Sequence, residues 1–225
     1  MSDDLKRQAS LAALDEIRGG MIVGLGTGST VSHFIRELGA RVRSGLNVLG
    51  IPTSEASRRL AEEAGVPLTA FSEHPHIDVT VDGADEVSPE LDLIKGLGGA
   101  LVREKIVAHA SKRVVIVVDE SKLVDKLGAK TAIPVEVIPL AAGRLILQLN
   151  ELGGEARIRE KNGGSFVSDN GNTILDWNHG VIGQPAALER QLKLMTGVVD
   201  SGIFADVAGS VIVAGATGIR VLQRR

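Results

Sequence analysis

The chain has 225 residues, 44% of them hydrophobic, which is enough to bury a sizeable core as one large domain or two modest ones. Aromatics are only 2%, with one Trp and no Tyr, so the core must come from Ala, Val, Leu and Ile, and a base-stacking surface for nucleic acid is disfavoured. A net charge of -3 with interspersed signs argues against a general polyanion-binding face but permits one small cationic pocket. Cysteine is absent, which excludes disulfides and thiolate chemistry. No run approaches the roughly 18 apolar residues of a membrane span, and the start MSDDLKRQ has no apolar signal region, so a cytoplasmic location is expected.

Leu5, Ala9, Ala12, Ala13 and Ile17 recur at helical spacing, with Ser2 or Asp3 as cap and Gly19-Gly20 as stop, which predicts a first helix over residues 3–18. Residues 21–25 read as a buried strand, and GLGTGST leads from it into a helix carrying Val31, Phe34, Ile35 and Leu38. Strand, glycine turn and helix start suit a phosphate. Free N–H groups and the positive end of the dipole attract the anion, glycines let it approach, and Thr27, Ser29 and Thr30 add hydroxyls around Gly28. A tight turn with a Ser/Thr cap and no ligand is the alternative. A dinucleotide fingerprint fails, because position 29 is Ser where a third glycine is needed. The second strand, residues 46–51, also runs into Pro52-Thr53-Ser54 instead of a ribose-binding carboxylate.

SEASRRLAEEAGV reads as a capped helix ended by Gly65, and residues 67–71 as a short third strand. His74 and His76 flank Pro75 in a loop without the convergent ligands of a metal site. Residues 77–81 have the length and β-branched content of a buried strand, ended by Asp82-Gly83. Asp82 and Asp85 then stand at a strand's carboxyl end, where open α/β sheets bind ligands; a turn aspartate and a helix cap are the other use of such a pair. Residues 91–94 lead to Lys95 and KGLGG, a glycine turn whose N–H groups and ammonium suit a developing oxyanion, or an ordinary turn with an exposed lysine.

A helix over residues 99–110 follows. On it Glu104 has Ala100, Leu101, Val107 and Ala108 as its neighbours at three and four residues, while Arg103 and Lys105 point away around the helix. A carboxylate in an apolar stripe is costly unless it is paired or its pKa is raised, and a raised pKa suits a general base. A buried structural ion pair is the alternative. RVVIVVD, residues 113–119, is the clearest central strand, with Ser121-Lys122 at the same sheet edge.

From about Gly128 the pattern changes to a strand VEVIP, a helix over 140–152, a strand EARIRE, a strand FVSDNG turning into NTILDW, a helix over 185–195 and a strand GVVDSGIFA. This βαββαβ order, with Asn170-Gly171 as a hairpin signal, predicts a ferredoxin-like unit. DVAGSVIVAG then returns to the first sheet. The expected architecture is α/β: a Rossmann-like open parallel sheet flanked by helices, residues 1–128 plus 207–225, with an inserted smaller α+β domain at 129–206. Asp176 and His179 are read as polar loop groups.

GTGST, VDGADE, IKG, REK and SK, in that order and in register, resemble ribose-5-phosphate isomerases of the A type, from about Lys6 to the C-terminus. The resemblance implies a cofactor-independent aldose-ketose isomerase interconverting D-ribose 5-phosphate and D-ribulose 5-phosphate through an enediolate. By the same resemblance Glu104 is the general base, Asp82 and Asp85 hold sugar hydroxyls and assist ring opening, and Lys95 stabilises the enediolate. The phosphate is then expected at Thr27, Gly28, Ser29 and Thr30, with Lys6 as a further ligand. Gly83, Ala84, Gly96, Leu97, Gly98 and Lys122 complete the substrate contacts. No metal and no organic cofactor is implied. The expected partners are a phosphorylated pentose and further copies of the chain, as homodimer or homotetramer, with no nucleic acid or membrane. Leu97 stands where the family usually shows glycine, and Val102 where it often shows Thr. A non-catalytic sugar-phosphate sensor or a related sugar-phosphate deaminase is the alternative reading.

Overall fold

The computed structural model describes residues 3–224; Ser2, one of the two expected caps of the first helix, lies outside them. In chain order the first elements are α1 (Asp3–Ala13), β1 (Ile22–Leu25), α2 (Ser29–Arg43), β2 (Leu49–Pro52), α3 (Glu55–Ala64) and β3 (Val79–Asp82). Next come β4 (Glu86–Val87), β5 (Leu93–Ile94), α4 (Leu101–His109), β6 (Val114–Asp119), β7 (Ile133–Val137), α5 (Ala142–Glu151), β8 (Glu155–Ile158), β9 (Glu160–Lys161) and β10 (Gly164–Ser165). The chain closes with β11 (Thr173–Asn178), α6 (Pro185–Lys193), β12 (Val198–Ser201), β13 (Ile203–Phe204), β14 (Ser210–Gly215) and β15 (Gly218–Gln223). They fall into two compact units, one holding the chain up to Ala84, Arg103–Lys122 and the chain from Val207 on, the other Asp85–Val102 and Leu123–Asp206.

The first unit is built on a six-stranded sheet in the order β15-β14-β6-β3-β1-β2, parallel except for β15. Alternation along each strand sends Val23 and Leu25, Val79 and Val81, Val115 and Val117 into one core with Ala9, Ala13, Phe34, Ile35 and Leu38 of α1 and α2. On the other side Ile51 and Ile77 pack with Val107 of α4. With both sides covered, the strands need apolar residues at every position, which is why VVIVVD is a continuous aliphatic run. The α3 helix is set by its ends: Ser54 Oγ accepts the Ser57 N–H at the N-terminus, and Gly65 in the left-handed conformation ends it. The predicted strand over 67–71 reduces to one isolated bridge between Leu68 and Gly50.

The second unit contains an antiparallel sheet, β12-β7-β11-β8. Numbered within their own sheet these strands run 4-1-3-2, and α5 and α6 follow the first and third, which is the ferredoxin-like arrangement. Val135, Val137, Leu175 and Trp177 of the sheet pack with Leu145 and Leu149 of α5 and Leu192 of α6. The strand expected over FVSDNG survives only as a bridge between Val167 and Thr173 beside the Asn170-Gly171 turn.

This unit is larger than the predicted insertion at 129–206, because residues 85–102 and 123–128 belong to it. Two interactions recruit them. The β4–β5 hairpin forms a three-stranded sheet with β13, pairing Ile94 with Ile203. Glu86, fully buried, accepts the N–H groups of Gly128 at 2.7 Å and of Lys130 and Thr131 at 2.6 Å, so the chain entering β7 is tied to β4. Two-residue strands leave no periodicity to read.

Candidate active site

In the first unit the chain leaves β1 towards β2 on one side and leaves β3 towards β6 on the other. Where neighbouring strands diverge in this way, a crevice opens beyond their carboxyl ends. The loops at that point carry residues 26–29 and Asp82-Gly83. Asp82 is only 2% exposed, and its Oδ1 accepts the N–H groups of Thr27 at 3.1 Å and Gly83 at 2.7 Å. The carboxylate occupies the space a side chain at position 26 would need: a Cβ on Gly26 would lie 2.2 Å from Asp82 Oδ1 and 2.6 Å from its Cα.

The α2 helix starts at Ser29 behind Gly28, whose φ of 118° is one that L side chains rarely adopt. Its first intrahelical bond runs from the Ser32 N–H to the Gly28 carbonyl, so the N–H groups ahead of Ser32 have no partner within the helix. Lys6 of α1 donates from Nζ to Ser29 Oγ at 2.8 Å, which brings an ammonium group to this helix start. The Thr27 hydroxyl is used differently from the sequence-based expectation. It lies 2.7 Å from Thr53 Oγ1 and donates to Ser54 Oγ at 2.8 Å, in a cluster that also includes Ser57. Thr53 Oγ1 in turn donates to the Leu25 carbonyl at 3.0 Å. Thr27 therefore holds the glycine loop to the start of α3. The sequence signal for this cluster is the run Thr53-Ser54-x-x-Ser57, of which only the capping role of Ser54 is legible.

Glu104 lies on the first turn of α4 and is 4% exposed, with Ala100, Leu101, Val107 and Ala108 all buried. Arg103 turns to the surface and pairs with Glu55 at 3.0 Å. The guanidinium of Arg58, and then that of Arg103, hold the Glu55 carboxyl below its usual range. Lys105, the next residue along the helix, is buried as well. At the end of β6, buried Asp119 accepts the Ser121 N–H at 3.0 Å and shapes the short turn carrying half-buried Lys122.

The remaining candidates belong to the second unit. Asp85 Oδ2 accepts the Leu97 N–H at 3.0 Å, and the Asp85 N–H donates to the Ile94 carbonyl at 2.8 Å, so this aspartate braces the glycine turn. Lys95 is 3% exposed and its ammonium lies 5.5 Å from the centroid of Phe204, which rules out the exposed-lysine alternative. Gly96 is buried, Leu97 and Gly98 are exposed, and the Gly99 N–H closes the turn onto the Gly96 carbonyl at 2.9 Å. Gly83 and Ala84 are half-buried.

Asp176 is not a loop group: it lies on β11 and forms an ion pair with Arg159, a residue the sequence patterns did not single out. His179 packs edge-on against Trp177, with ring centroids 4.6 Å apart. Among the described residues no three His, Cys, Asp or Glu side chains are grouped so as to hold a metal ion, and no helix is long and apolar enough to cross a membrane.

Gly26→Ala is expected to displace the Asp82 backbone and to cost about 2–4 kcal/mol, read as a lower midpoint in urea unfolding. A midpoint unchanged from wild type would show that the loop yields without cost.

The profile of the family described as Ribose 5-phosphate isomerase A (phosphoriboisomerase A) matches residues 49–218. A Rhodopseudomonas palustris protein named Ribose-5-phosphate isomerase A is 51% identical over 229 residues, covering 99% of this chain and 98% of its own. The solved ribose 5-phosphate isomerase A of Methanocaldococcus jannaschii superposes with a TM-score of 0.95 at 44% identity, covering 99% of this chain and 100% of that one. A D-ribose-5-phosphate isomerase solved in complex with phospho-erythronic acid superposes with a TM-score of 0.96 at 40% identity over the whole of both chains. With identity at this level along its whole length, and with the family profile matching most of it, the chain belongs to the ribose 5-phosphate isomerase A family.

Proposed function

We infer that the chain interconverts D-ribose 5-phosphate and D-ribulose 5-phosphate. The observation that carries this reading is full-length identity of about half with relatives of that name. The reaction moves a proton from C2 to C1 and another between O1 and O2, so it requires a carbon base, groups that handle hydroxyl protons, and donors for the enediolate oxygen.

Glu104 is assigned as the carbon base: its carboxylate takes the C2 proton and returns it to C1. A carboxylate set among apolar side chains is poorly solvated in its charged form, and that strengthens it as a proton acceptor. Lys95 and the N–H groups of residues 96–98 are assigned to the developing oxyanion. Asp82 and Asp85 are assigned to the sugar hydroxyls and to opening of the furanose ring, with Gly83, Ala84 and Lys122 as further substrate contacts. The phosphate is assigned to the N–H groups at residues 28–30 with Ser29, Thr30 and Lys6. Thr27 then acts through its hold on the loop. A homodimer or homotetramer in the cytoplasm completes the proposal, and a monomeric mass by light scattering would overturn the oligomeric part.

Glu104→Gln is expected to keep the fold and to lower kcat by about a hundred- to ten-thousand-fold, since only the proton-accepting lone pair changes. Turnover within a few-fold of wild type removes Glu104 from the mechanism. In thermal unfolding, ribose 5-phosphate and inorganic phosphate are each expected to raise the Tm by several degrees at saturation, and unphosphorylated ribose far less. Equal shifts from ribose and ribose 5-phosphate would remove the phosphate assignment.

A further inference from the structure

Arg159 is a guanidinium in the second unit that none of the assignments above employs. Its side chain is only 10% exposed. On one side Nε donates to Asp176 Oδ2 at 2.9 Å and Nη2 pairs with Asp176 Oδ1, a two-point contact with a carboxylate on a rigid strand. On the other side Nη1 donates to the carbonyl oxygens of both Gly96 and Leu97, each at 2.9 Å. A surface arginine has no need of four directed contacts, and burial of a cation without them is costly.

The two carbonyls belong to the turn that follows Lys95. In a trans peptide the carbonyl and the next N–H point in opposite directions across one rigid plane. Fixing the Gly96 and Leu97 carbonyls on Arg159 therefore aims the Leu97 and Gly98 N–H groups away from it. The Leu97 N–H goes to Asp85, whereas the exposed Gly98 N–H has no protein acceptor among the described residues. A cation on the carbonyl end also polarises each peptide, so that its N–H becomes a better donor to an anion. The far side of the turn is closed by Phe166: a Cβ on Gly99 would lie 2.4 Å from its ring, over which the Arg159 guanidinium sits at 5.8 Å.

We propose that Arg159, anchored by Asp176, is a positioning residue for the reaction: it sets the peptide planes of residues 96–98 so that the Gly98 N–H meets the enediolate oxygen. This rests on the reading of that turn as the oxyanion-binding segment. Such an interaction strengthens as charge develops, so its loss acts on kcat more than on substrate binding.

The test compares wild type, Arg159→Met, Arg159→Lys and Arg159→Ala with ribose 5-phosphate as substrate. Arg159→Met is expected to lose about 10- to 100-fold in kcat with KM within about threefold of wild type. Lysine cannot reach a carboxylate and two carbonyls at once, so Arg159→Lys is expected to lose at least about fivefold in kcat despite keeping the charge. In Arg159→Ala, guanidinium chloride far below denaturing concentration is expected to restore part of kcat, and equal sodium chloride none. A purely structural role would give neither this rescue nor a loss confined to kcat. Wild-type kcat in Arg159→Met overturns the proposal, as does a loss expressed only in KM or an absence of rescue. If Arg159→Met does not fold, the Arg159→Lys variant decides by the same kcat criterion. Absence of turnover in the wild-type protein would overturn the reaction itself, and is thereby distinguished from failure of the Arg159 proposal.

Discussion

The carboxylate of Asp82 and the missing side chain of Gly26 occupy the same space, and the first unit is arranged around that fact. Asp82 ends β3 and accepts the Thr27 N–H from the loop after β1, so the two strand ends are held together by a buried acid. The loop it holds is the one that opens α2, and the Thr27 hydroxyl secures its other side to Thr53 and Ser54. One close approach therefore helps to hold the loop that opens α2, whose N–H groups ahead of Ser32 have no partner within the helix.

The chain handles its buried carboxylates in two ways. Glu86 is surrounded by backbone donors at 2.6 to 2.7 Å, an arrangement that satisfies the charge and uses it to join β4 to the start of β7. Glu104 is also buried, on a helix where its neighbours at three and four residues, Ala100, Leu101, Val107 and Ala108, are buried and apolar. Backbone donors make Glu86 a structural tie, whereas Glu104 is the carboxylate assigned above as the carbon base.

Much of the molecule was legible beforehand because its physics is local. Strand-helix alternation, the glycine turn before α2, the cap at Ser54 and the stop at Gly65, and the βαββαβ order with its Asn170-Gly171 turn depend on residues within one turn or one strand of each other. The apolar stripe around Glu104 is equally local. The limits of the second unit were not legible, because β4, β5 and β13 are two residues long and β5 pairs with β13 across more than a hundred positions. Asp176 was misread for a related reason: three residues from His179 at the end of a hairpin strand it looked like a loop group, and its partner Arg159 is adjacent only through cross-strand register.

By itself the sequence determined the fold class, the family and the chemical types at the candidate site, since these are carried by periodicity and by short motifs in which the participants are neighbours along the chain. The tertiary structure alone decided how those groups are held. The Thr27 hydroxyl turns inward to Thr53 and Ser54, Lys6 meets Ser29, and Arg159 grips the carbonyls of the turn after Lys95. Each of these contacts joins residues far apart in sequence, and only the packing of strands and helices, set by the burial of their apolar faces, brings them within hydrogen-bonding distance.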